Sequence, residues 1–259
     1  MKADLELALE LADLADAITL PRFRATDLRV TTKPDLTPVS DADRAAEEAL
    51  RKRLTAARPD DAVLGEEFGE SAGHGGRRWV LDPLDGTKNY VRGIPVWGSL
   101  IALEQDGVPT VGVVSAPALG RRWWAARGEG AFADGQRIRV SGVADLADAQ
   151  LSYDGFVDFE RHGLGPAALA LERRCWRSRG FGDFWSHVLV AEGAVDVALE
   201  PVVEHWDVAP LWVIVEEAGG RFTDVTGRRR ADGRSAVSTN GLLHDEVLAL
   251  LGRSSKAVE

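Results

Sequence analysis

The sequence predicts a mixed α/β protein built from two successive lobes. In the first twenty residues, leucine and isoleucine recur at helical spacing between acidic residues. Residues 97–140 contain short apolar runs separated by Gly and Asp, a pattern typical of an antiparallel meander. From about residue 149, strand-like segments alternate with helical ones, which indicates a second α/β lobe.

The first lobe is predicted to cover residues 1–145. An amphipathic helix spans residues 4–23, and a second helix begins near Ser40 and Asp43, which resemble an N-cap, and runs to about residue 57. Apolar runs that end at acids or turn residues predict the following strands: 62–65, 78–81, 97–103, 110–115 and 122–126. Asp134 and Gly135 predict a further hairpin.

The second lobe is predicted to cover residues 146–259, with the boundary inside the small-residue stretch 141–149. Its pattern predicts strands at 150–153, 174–178 and 195–199, and helices at 183–192, 207–218 and 242–250. The last residues, from Ser254 onward, are expected to fray.

Composition and charge narrow the possible functions. The chain has 259 residues, of which 45% are hydrophobic and 28% charged, and its formal net charge is −10. This acidic balance argues against a nucleic-acid partner, because affinity for the phosphate backbone needs a basic surface. Cys175 is the only cysteine, so an intrachain disulfide and a cysteine-based zinc site are excluded.

The sequence predicts a cytoplasmic protein without a membrane partner. Its first residues lack the basic start and the uninterrupted apolar run of a signal peptide. No segment approaches the roughly 20 apolar residues of a membrane helix.

The segment WVLDPLDGTKNY combines two carboxylates with a turn that suits a phosphate. Asp82 and Asp85 lie on either side of Pro83 after an apolar strand, where they can share hard cations. Gly86 and Thr87 offer backbone N–H groups to a phosphate, and the threonine hydroxyl can hold an attacking water. The string D-P-L-D-G alone would more often be a simple turn, because turns favour Asp, Pro and Gly.

Two further acids favour a catalytic site. Glu66 follows a predicted strand, and Asp207 begins a predicted helix. If these acids converge with the aspartate pair, they form an oxygen-rich site for Mg²⁺. The predicted reaction is hydrolysis of a phosphate ester by a water that Thr87 holds, with Glu66 as the proton acceptor and the Leu84 carbonyl as a neutral metal ligand.

Three strings resemble the inositol monophosphatase family over nearly the whole chain: GEE, LDPLDGTKNY and HWDVAPLWVIVEEAGG. This resemblance implies a five-layered α/β/α/β/α fold, two to three Mg²⁺ ions and a homodimer. The metal ligands that it implies are Glu66, Asp82, Leu84, Asp85, Asp207 and, near a third metal, Asp41. The catalytic residues that it implies are Glu66, Thr87 and Asp85. Asp41 also suits the first turn of a helix, where the dipole favours an acid.

The second lobe is expected to recognise the leaving group. Asp183 lies where inositol-specific members of the family generally carry a small residue, and an acid there favours a cationic leaving group. Glu200 matches a substrate-contacting glutamate of the family. The strings GDF and AEGAVD are similar to the histidinol-phosphate phosphatases of this family, which implies L-histidinol phosphate as the substrate. The expected substrate contacts are therefore Gly86, Thr87, Asp183, Glu200 and Asp207.

Several alternatives stay open at this point. Asp183 can instead be a helix N-cap, and Lys33 is expected to be a solvated surface lysine. His187 and His205 are expected to be packing or surface residues, because hard magnesium sites prefer oxygen ligands. Other substrates are inositol monophosphate, fructose bisphosphate and adenosine bisphosphate. A non-catalytic regulatory protein on the same fold is a further alternative, although the complete set of acids argues against it.

Overall fold

The computed structural model describes residues 1–34 and 36–254. Asp35 lies outside the described residues. Residues 255–259 also lie outside them, and these are most of the tail that is expected to fray. The helices are α1 (Lys2–Arg22), α2 (Asp41–Ala57), α3 (Thr87–Val91), α4 (Phe156–Arg161), α5 (Gly165–Glu172), α6 (Asp183–Ala191), α7 (His205–Glu217) and α8 (His244–Ser254). None of these helices combines the length and the apolar character needed to cross a bilayer within the described part of the chain.

The described strands form one hairpin and two larger sheets. They are β1 (Val30–Thr32), β2 (Pro38–Ser40), β3 (Ala62–Gly65), β4 (Gly69–Ser71), β5 (Arg77–Asp85), β6 (Gly98–Gln105), β7 (Val108–Ala116), β8 (Arg121–Ala126), β9 (Gly130–Ala133), β10 (Gln136–Arg137), β11 (Gln150–Tyr153), β12 (Arg177–Arg179), β13 (Val197–Glu200), β14 (Arg221–Thr223) and β15 (Ala236–Thr239). The hairpin pairs β1 with β2. One sheet has the order β10-β9-β8-β7-β6-β5-β3-β4, and the other has the order β12-β11-β13-β15-β14.

Helices cover both sheets and also separate them, which produces five layers. The eight-stranded sheet packs on α1 and α2 through an apolar cluster that includes Leu11, Leu50 and Trp79. On its other face, α6 and α7 share a second cluster with both sheets. The outer face of the five-stranded sheet is covered by α4, α5 and α8, whose contributions include Phe159 and Leu171. The expected α/β/α/β/α architecture is confirmed.

Most of the predicted elements lie close to the observed ones, because their hydrophobic periodicity or capping signals are strong. At the start of α2, the Ser40 hydroxyl accepts a hydrogen bond from the Ala42 N–H, and Asp43 accepts one from the Ser40 N–H at 3.0 Å. The sequence did not predict the short elements β1, β2, β4, α4, α5, β14 and β15. These elements are too short to show a clear period.

A β-bulge in β5 corrects the prediction that this strand stops at Asp82. The strand continues to Asp85, and its partners on β6 are Leu100 for Asp82 and Gly98 for Asp85. Three steps along β5 therefore match two steps along β6, which inserts one extra residue. Side chains three residues apart on a regular strand point to opposite faces. The bulge removes this alternation, and oxygen atoms of Asp82 and Asp85 lie within 4.8 Å of each other.

The division into lobes at residues 145 and 146 stays a prediction. The eight-stranded sheet ends with β10 and the five-stranded sheet begins with β11, which is consistent with that boundary. However, α7 contacts β6 and β7 of the first sheet as well as β14 and β15 of the second. The two parts of the chain therefore share one core layer.

Gly112 permits the close approach of α7 to the eight-stranded sheet. A Cβ atom at this position would lie 2.6 Å from the Pro210 carbonyl oxygen and 2.6 Å from Cγ1 of Val213. We expect Gly112→Ala to lower the free energy of unfolding by about 1–3 kcal/mol, because the helix must shift within a packed core. Chemical denaturation measures this loss. Gly142→Ala is the matched control, since a Cβ there would meet nothing within 4 Å, and equal stability of both variants would contradict the close approach.

Candidate active site

Three aspartates converge where the β5 bulge meets the start of α7. Asp82, Asp85 and Asp207 offer oxygen atoms that lie within 4.8 Å of one another. Each carboxylate accepts one hydrogen bond from a backbone N–H: Asp82 from Leu84 at 2.9 Å, Asp85 from Phe184 at 2.8 Å and Asp207 from Glu204 at 2.7 Å. These bonds orient the carboxylates and leave the second oxygen of each available to a cation.

The electrostatics of this cluster favour a bound cation. Burial raises the pKa of Asp82 well above its usual value, and the charges of Glu66 and Asp85 raise it further. Burial likewise raises the pKa of Asp85, with an added contribution from Asp183, and the pKa of Asp207, with one from Glu66. A hard divalent cation would remove this repulsion, and carboxylate oxygens are the ligands that Mg²⁺ prefers.

Glu66 follows β3 and forms an ion pair with Lys33. Nζ of Lys33 lies 2.7 Å from Oε1 of Glu66 and 2.5 Å from Oε1 of Glu67. Burial opposes the charge of Lys33, but hydrogen bonds to both glutamates outweigh this effect and raise its pKa. The lysine side chain is only 17% exposed. The expectation of a solvated surface lysine is therefore wrong.

Thr87 contacts Asp43, a residue that the sequence assigned only to helix capping. The Thr87 hydroxyl lies 3.1 Å from Oδ1 of Asp43 and 2.9 Å from the Leu84 carbonyl oxygen. The other oxygen of Asp43 accepts hydrogen bonds from the N–H of Ser40 at 3.0 Å and from its hydroxyl at 2.5 Å. The structure therefore adds Asp43 as a partner of Thr87, and the role of Glu66 as acceptor of the water's proton stays a prediction.

Asp41 does not join the aspartate cluster. Its Oδ2 accepts a hydrogen bond at 2.9 Å from Arg22, which also binds Asp27. Residues two apart on a helix differ by about 200° around its axis, so Asp41 and Asp43 face different neighbours. The first turn of α2 directs Asp43, rather than Asp41, toward Thr87, and the role of Asp41 near a third metal stays a prediction.

Gly86 forms a tight turn between β5 and α3. Its backbone is left-handed, with φ 79° and ψ 33°. A Cβ atom here would lie 3.0 Å from the Val96 carbonyl oxygen and 3.5 Å from Oδ2 of Asp183. Both the backbone conformation and the close approach favour glycine. The turn lines a small cleft together with Thr87 and Lys88.

A cavity of about 600 Å³ lies beside the aspartate cluster and is strongly acidic. The carboxylates among its described lining residues are Glu66, Asp85, Asp154, Asp183, Glu200, Glu204 and Asp207, and the cationic side chains are Lys33, Lys88 and Arg234. This excess of negative charge favours metal ions or a cationic ligand. Asp154 was missed by the sequence analysis, because the string YDG after a strand is also an ordinary turn pattern.

Asp183 lines this cavity from the first position of α6. The N-cap of that helix is Gly182, so the alternative that Asp183 is the N-cap is wrong. Asp183 has a left-handed φ of 48°, which is uncommon for a residue other than glycine and is tolerated by Asp. Its Oδ2 accepts a hydrogen bond from Asn89 at 3.2 Å. Burial, with help from the Asp154 charge, raises its pKa to about 6.

Glu200 reaches the same cavity from the end of β13. It is buried, and burial raises its pKa well above the usual value, with further contributions from Asp183 and Asp154. His187 of α6 is fully buried behind it, with Nε2 at 3.5 Å from Oε1 of Glu200. His205 belongs to a separate contact, because its Nε2 lies 2.6 Å from Oε1 of Glu104.

The α/β/α/β/α layers and the carboxylate cluster together are typical of one class of protein, the metal-dependent phosphatases. A model of the inositol monophosphatase family matches residues 2–256 of the chain. A histidinol-phosphatase of Mycobacterium tuberculosis (strain ATCC 25618 / H37Rv) is 60% identical over 253 residues, which cover 96% of this chain and 97% of that protein. A histidinol-phosphatase of Streptomyces coelicolor is 53% identical over 259 residues, with coverage of 96% and 97%.

Comparison of structures agrees with this result. A solved inositol monophosphatase from Zymomonas mobilis superposes with a TM-score of 0.86 at 31% identity, covering 97% of this chain and 98% of that one. The chain belongs to the inositol monophosphatase family. The predicted family, its fold and its phosphatase activity on a small phosphate ester are thereby confirmed.

Asp85→Asn tests whether the aspartate cluster binds a divalent cation. The variant removes one negative charge and keeps an oxygen for the Phe184 N–H, so the metal-free protein should unfold at a higher temperature than wild type. The stabilisation by added Mg²⁺ should be largely lost, because a ligand of the native state is missing. Thermal unfolding with and without Mg²⁺ measures both effects.

Asp148→Asn is the matched control for this experiment, since Asp148 is exposed and lies outside the cavity. It should retain the full Mg²⁺ effect. The assignment fails if Asp85→Asn responds to Mg²⁺ as strongly as wild type does.

Proposed function

We propose that this protein is a magnesium-dependent histidinol-phosphatase, which hydrolyses L-histidinol phosphate to L-histidinol and phosphate. The observation that carries the proposal is the group of three acids, Asp154, Asp183 and Glu200, in one cavity with the aspartate cluster. A leaving group that bears an ammonium and an imidazole compensates such charges, whereas a neutral polyol leaves them unpaired. The relatives at 60% and 53% identity, which are named histidinol-phosphatase, support the same substrate.

The metal ions would be held by Asp82, Asp85 and Asp207, with Glu66 and the Leu84 carbonyl as further oxygen ligands. The arrangement of the chain supports this assignment, because the three aspartates are already oriented by backbone N–H groups. When bound, Mg²⁺ supplies Lewis-acid polarisation of the phosphate ester and of the attacking water. Two to three ions are proposed, as in the family resemblance.

Thr87 and Asp43 would orient the attacking water. A hydroxyl has one proton and two lone pairs, so Thr87 can donate to Asp43 while it accepts a hydrogen bond from water. As the water attacks phosphorus, its proton would pass to the Thr87 oxygen and the Thr87 proton to Asp43. The ester P–O bond would break on the opposite side, and the departing alkoxide would take a proton from solvent water to give the alcohol. Burial raises the pKa of Asp43, which makes this carboxylate a better proton acceptor. No phosphoenzyme forms in this mechanism, because the nucleophile is water.

The phosphate would lie against the backbone N–H groups of Gly86 and Thr87. These groups border the same cleft as Glu66, and the close approach that Gly86 permits would bring the phosphate next to the metal ligands. The leaving group would then extend toward Asp183 and Glu200. Asp207, which lines the cavity between these regions, would contact both the metal and the substrate.

Four broader expectations belong to the same proposal. We propose a homodimer, a cytoplasmic location, a role in histidine biosynthesis, and two lobes that divide at residues 145 and 146. The first three agree with the family resemblance or with the sequence composition. The lobe boundary agrees with the separate sheets on either side of it.

The substrate is tested by measuring phosphate release, at saturating Mg²⁺, from L-histidinol phosphate, inositol 1-phosphate, fructose 1,6-bisphosphate and adenosine 3′,5′-bisphosphate. We expect kcat/KM to be at least about 100-fold higher for L-histidinol phosphate, because the other esters leave buried carboxylates unpaired. Asp183→Ala and Glu200→Gln should reduce this preference and leave inositol 1-phosphate hydrolysis within a few-fold of wild type. A wild-type preference for inositol 1-phosphate would rule out the proposed substrate.

Thr87→Val tests the role of the hydroxyl, since valine keeps the size and removes the oxygen. We expect kcat to fall by about 100-fold or more, because the water loses its proton acceptor, with a small change in KM. Thr87→Ser is the matched control and should retain most of the activity.

Asp43→Asn should also lower kcat, and the double variant should be little worse than Thr87→Val alone, because both residues act on one proton. Wild-type kcat in Thr87→Val would contradict this mechanism.

A further inference from the structure

Two buried polar atoms face each other behind the cavity. Nε2 of His187 and Oε1 of Glu200 are both inaccessible, and neither has a hydrogen-bond partner among the described residues. They are 3.5 Å apart, and the two side chains are 0% and 8% exposed. A buried polar group without a partner is destabilising, because it has lost its hydrogen bonds to water. A small movement that closes this gap would satisfy both atoms at once.

The second nitrogen of His187 has a hydrogen-bond partner of its own. Nδ1 lies 2.6 Å from the Ser238 hydroxyl on β15. If Ser238 donates its proton to Nδ1, the neutral ring carries hydrogen on Nε2, which faces Glu200. The opposite arrangement would place a lone pair of Nε2 against an ionised carboxylate. Burial lowers the pKa of His187 to about 4, so the ring is neutral near pH 7.

We infer that His187 is a positioning residue for the leaving group: its Nε2–H donates to Oε1 of Glu200 and directs the other carboxylate oxygen into the cavity. The inference rests on the proposed function, because it requires that Glu200 bind a cation. A neutral donor suits this role, since it orients the carboxylate without cancelling its charge. An arginine or lysine in the same place would form an ion pair with Glu200 and compete with the substrate.

The location of His187 keeps this role separate from the phosphate chemistry. It lies on α6 one turn after Asp183, and it contacts Ser238 and Glu200. None of the atoms that it contacts belongs to the aspartate cluster. A change at His187 should therefore alter binding of the leaving group and leave attack on phosphorus nearly unchanged.

His187→Asn and His187→Gln form a matched pair for the test. The asparagine amide reaches only as far as Nδ1, where its oxygen can accept from Ser238, and it no longer reaches Glu200. The glutamine amide reaches the place of Nε2 and keeps an N–H donor there. For L-histidinol phosphate we expect KM to rise about tenfold in His187→Asn, with kcat within a few-fold of wild type. His187→Gln should restore most of the affinity. KM for inositol 1-phosphate should stay nearly constant in both variants.

Thermal unfolding shows whether each variant is folded. If His187→Asn does not fold, Ser238→Ala tests the same inference. Without the Ser238 hydroxyl the ring loses the bond that fixes its tautomer, so KM for L-histidinol phosphate should rise about threefold. The inference is overturned if the folded variants keep the wild-type KM, if KM rises equally for both substrates, or if glutamine fails where asparagine fails. If the proposed function itself is wrong, the wild-type protein shows no preference for L-histidinol phosphate, and this result distinguishes the two cases.

Discussion

The mutual repulsion of buried carboxylates is the constraint on which the rest of this structure depends. Asp82, Asp85 and Asp207 place oxygen atoms within 4.8 Å of one another. Backbone N–H groups orient these side chains, but three partial dipoles do not neutralise three charges that lie so close together. A bound divalent cation would neutralise most of this remaining charge. The same electrostatic energy that makes the metal-free cluster unfavourable therefore strengthens metal binding, and the surrounding fold must be stable enough to hold the acids together beforehand.

The local sequence reveals the chemical groups of this site more readily than their partners. Asp82 and Asp85 were recognisable from residue type and spacing, but the bulge that brings them to one face depends on pairing with β6. Asp43 was assigned correctly to a capping box, yet that role uses one oxygen and leaves the other for Thr87. Partners such as Thr87 come from distant parts of the chain, so a local pattern shows only one of two roles. For a related reason, only the rotation of α2 decides that Asp43, rather than Asp41, contacts Thr87.

Helix α6 connects the proposed leaving-group contacts to the aspartate cluster. Asp183 begins this helix and lines the cavity, and the N–H of the next residue, Phe184, holds a carboxylate oxygen of Asp85 at 2.8 Å. His187 lies one turn further along the same helix. A shift of α6 would therefore disturb Asp85, a proposed metal ligand, together with the proposed leaving-group contacts. Replacing side chains on a fixed α6 can therefore change the substrate without disturbing Asp85, whereas moving the helix cannot.

The charge distribution of the cavity also implies an order of binding under the proposed function. Without metal, the lining carries a large excess of carboxylates, and Lys33 is already paired with Glu66 and Glu67. Such a surface attracts cations and repels a phosphate. Binding of divalent ions at the aspartate cluster reverses the sign of the potential at that end only, while the end near Glu200 stays negative. A substrate with a phosphate at one end and a cationic group at the other then has one favourable orientation, so metal binding precedes productive binding of the ester and sets its direction.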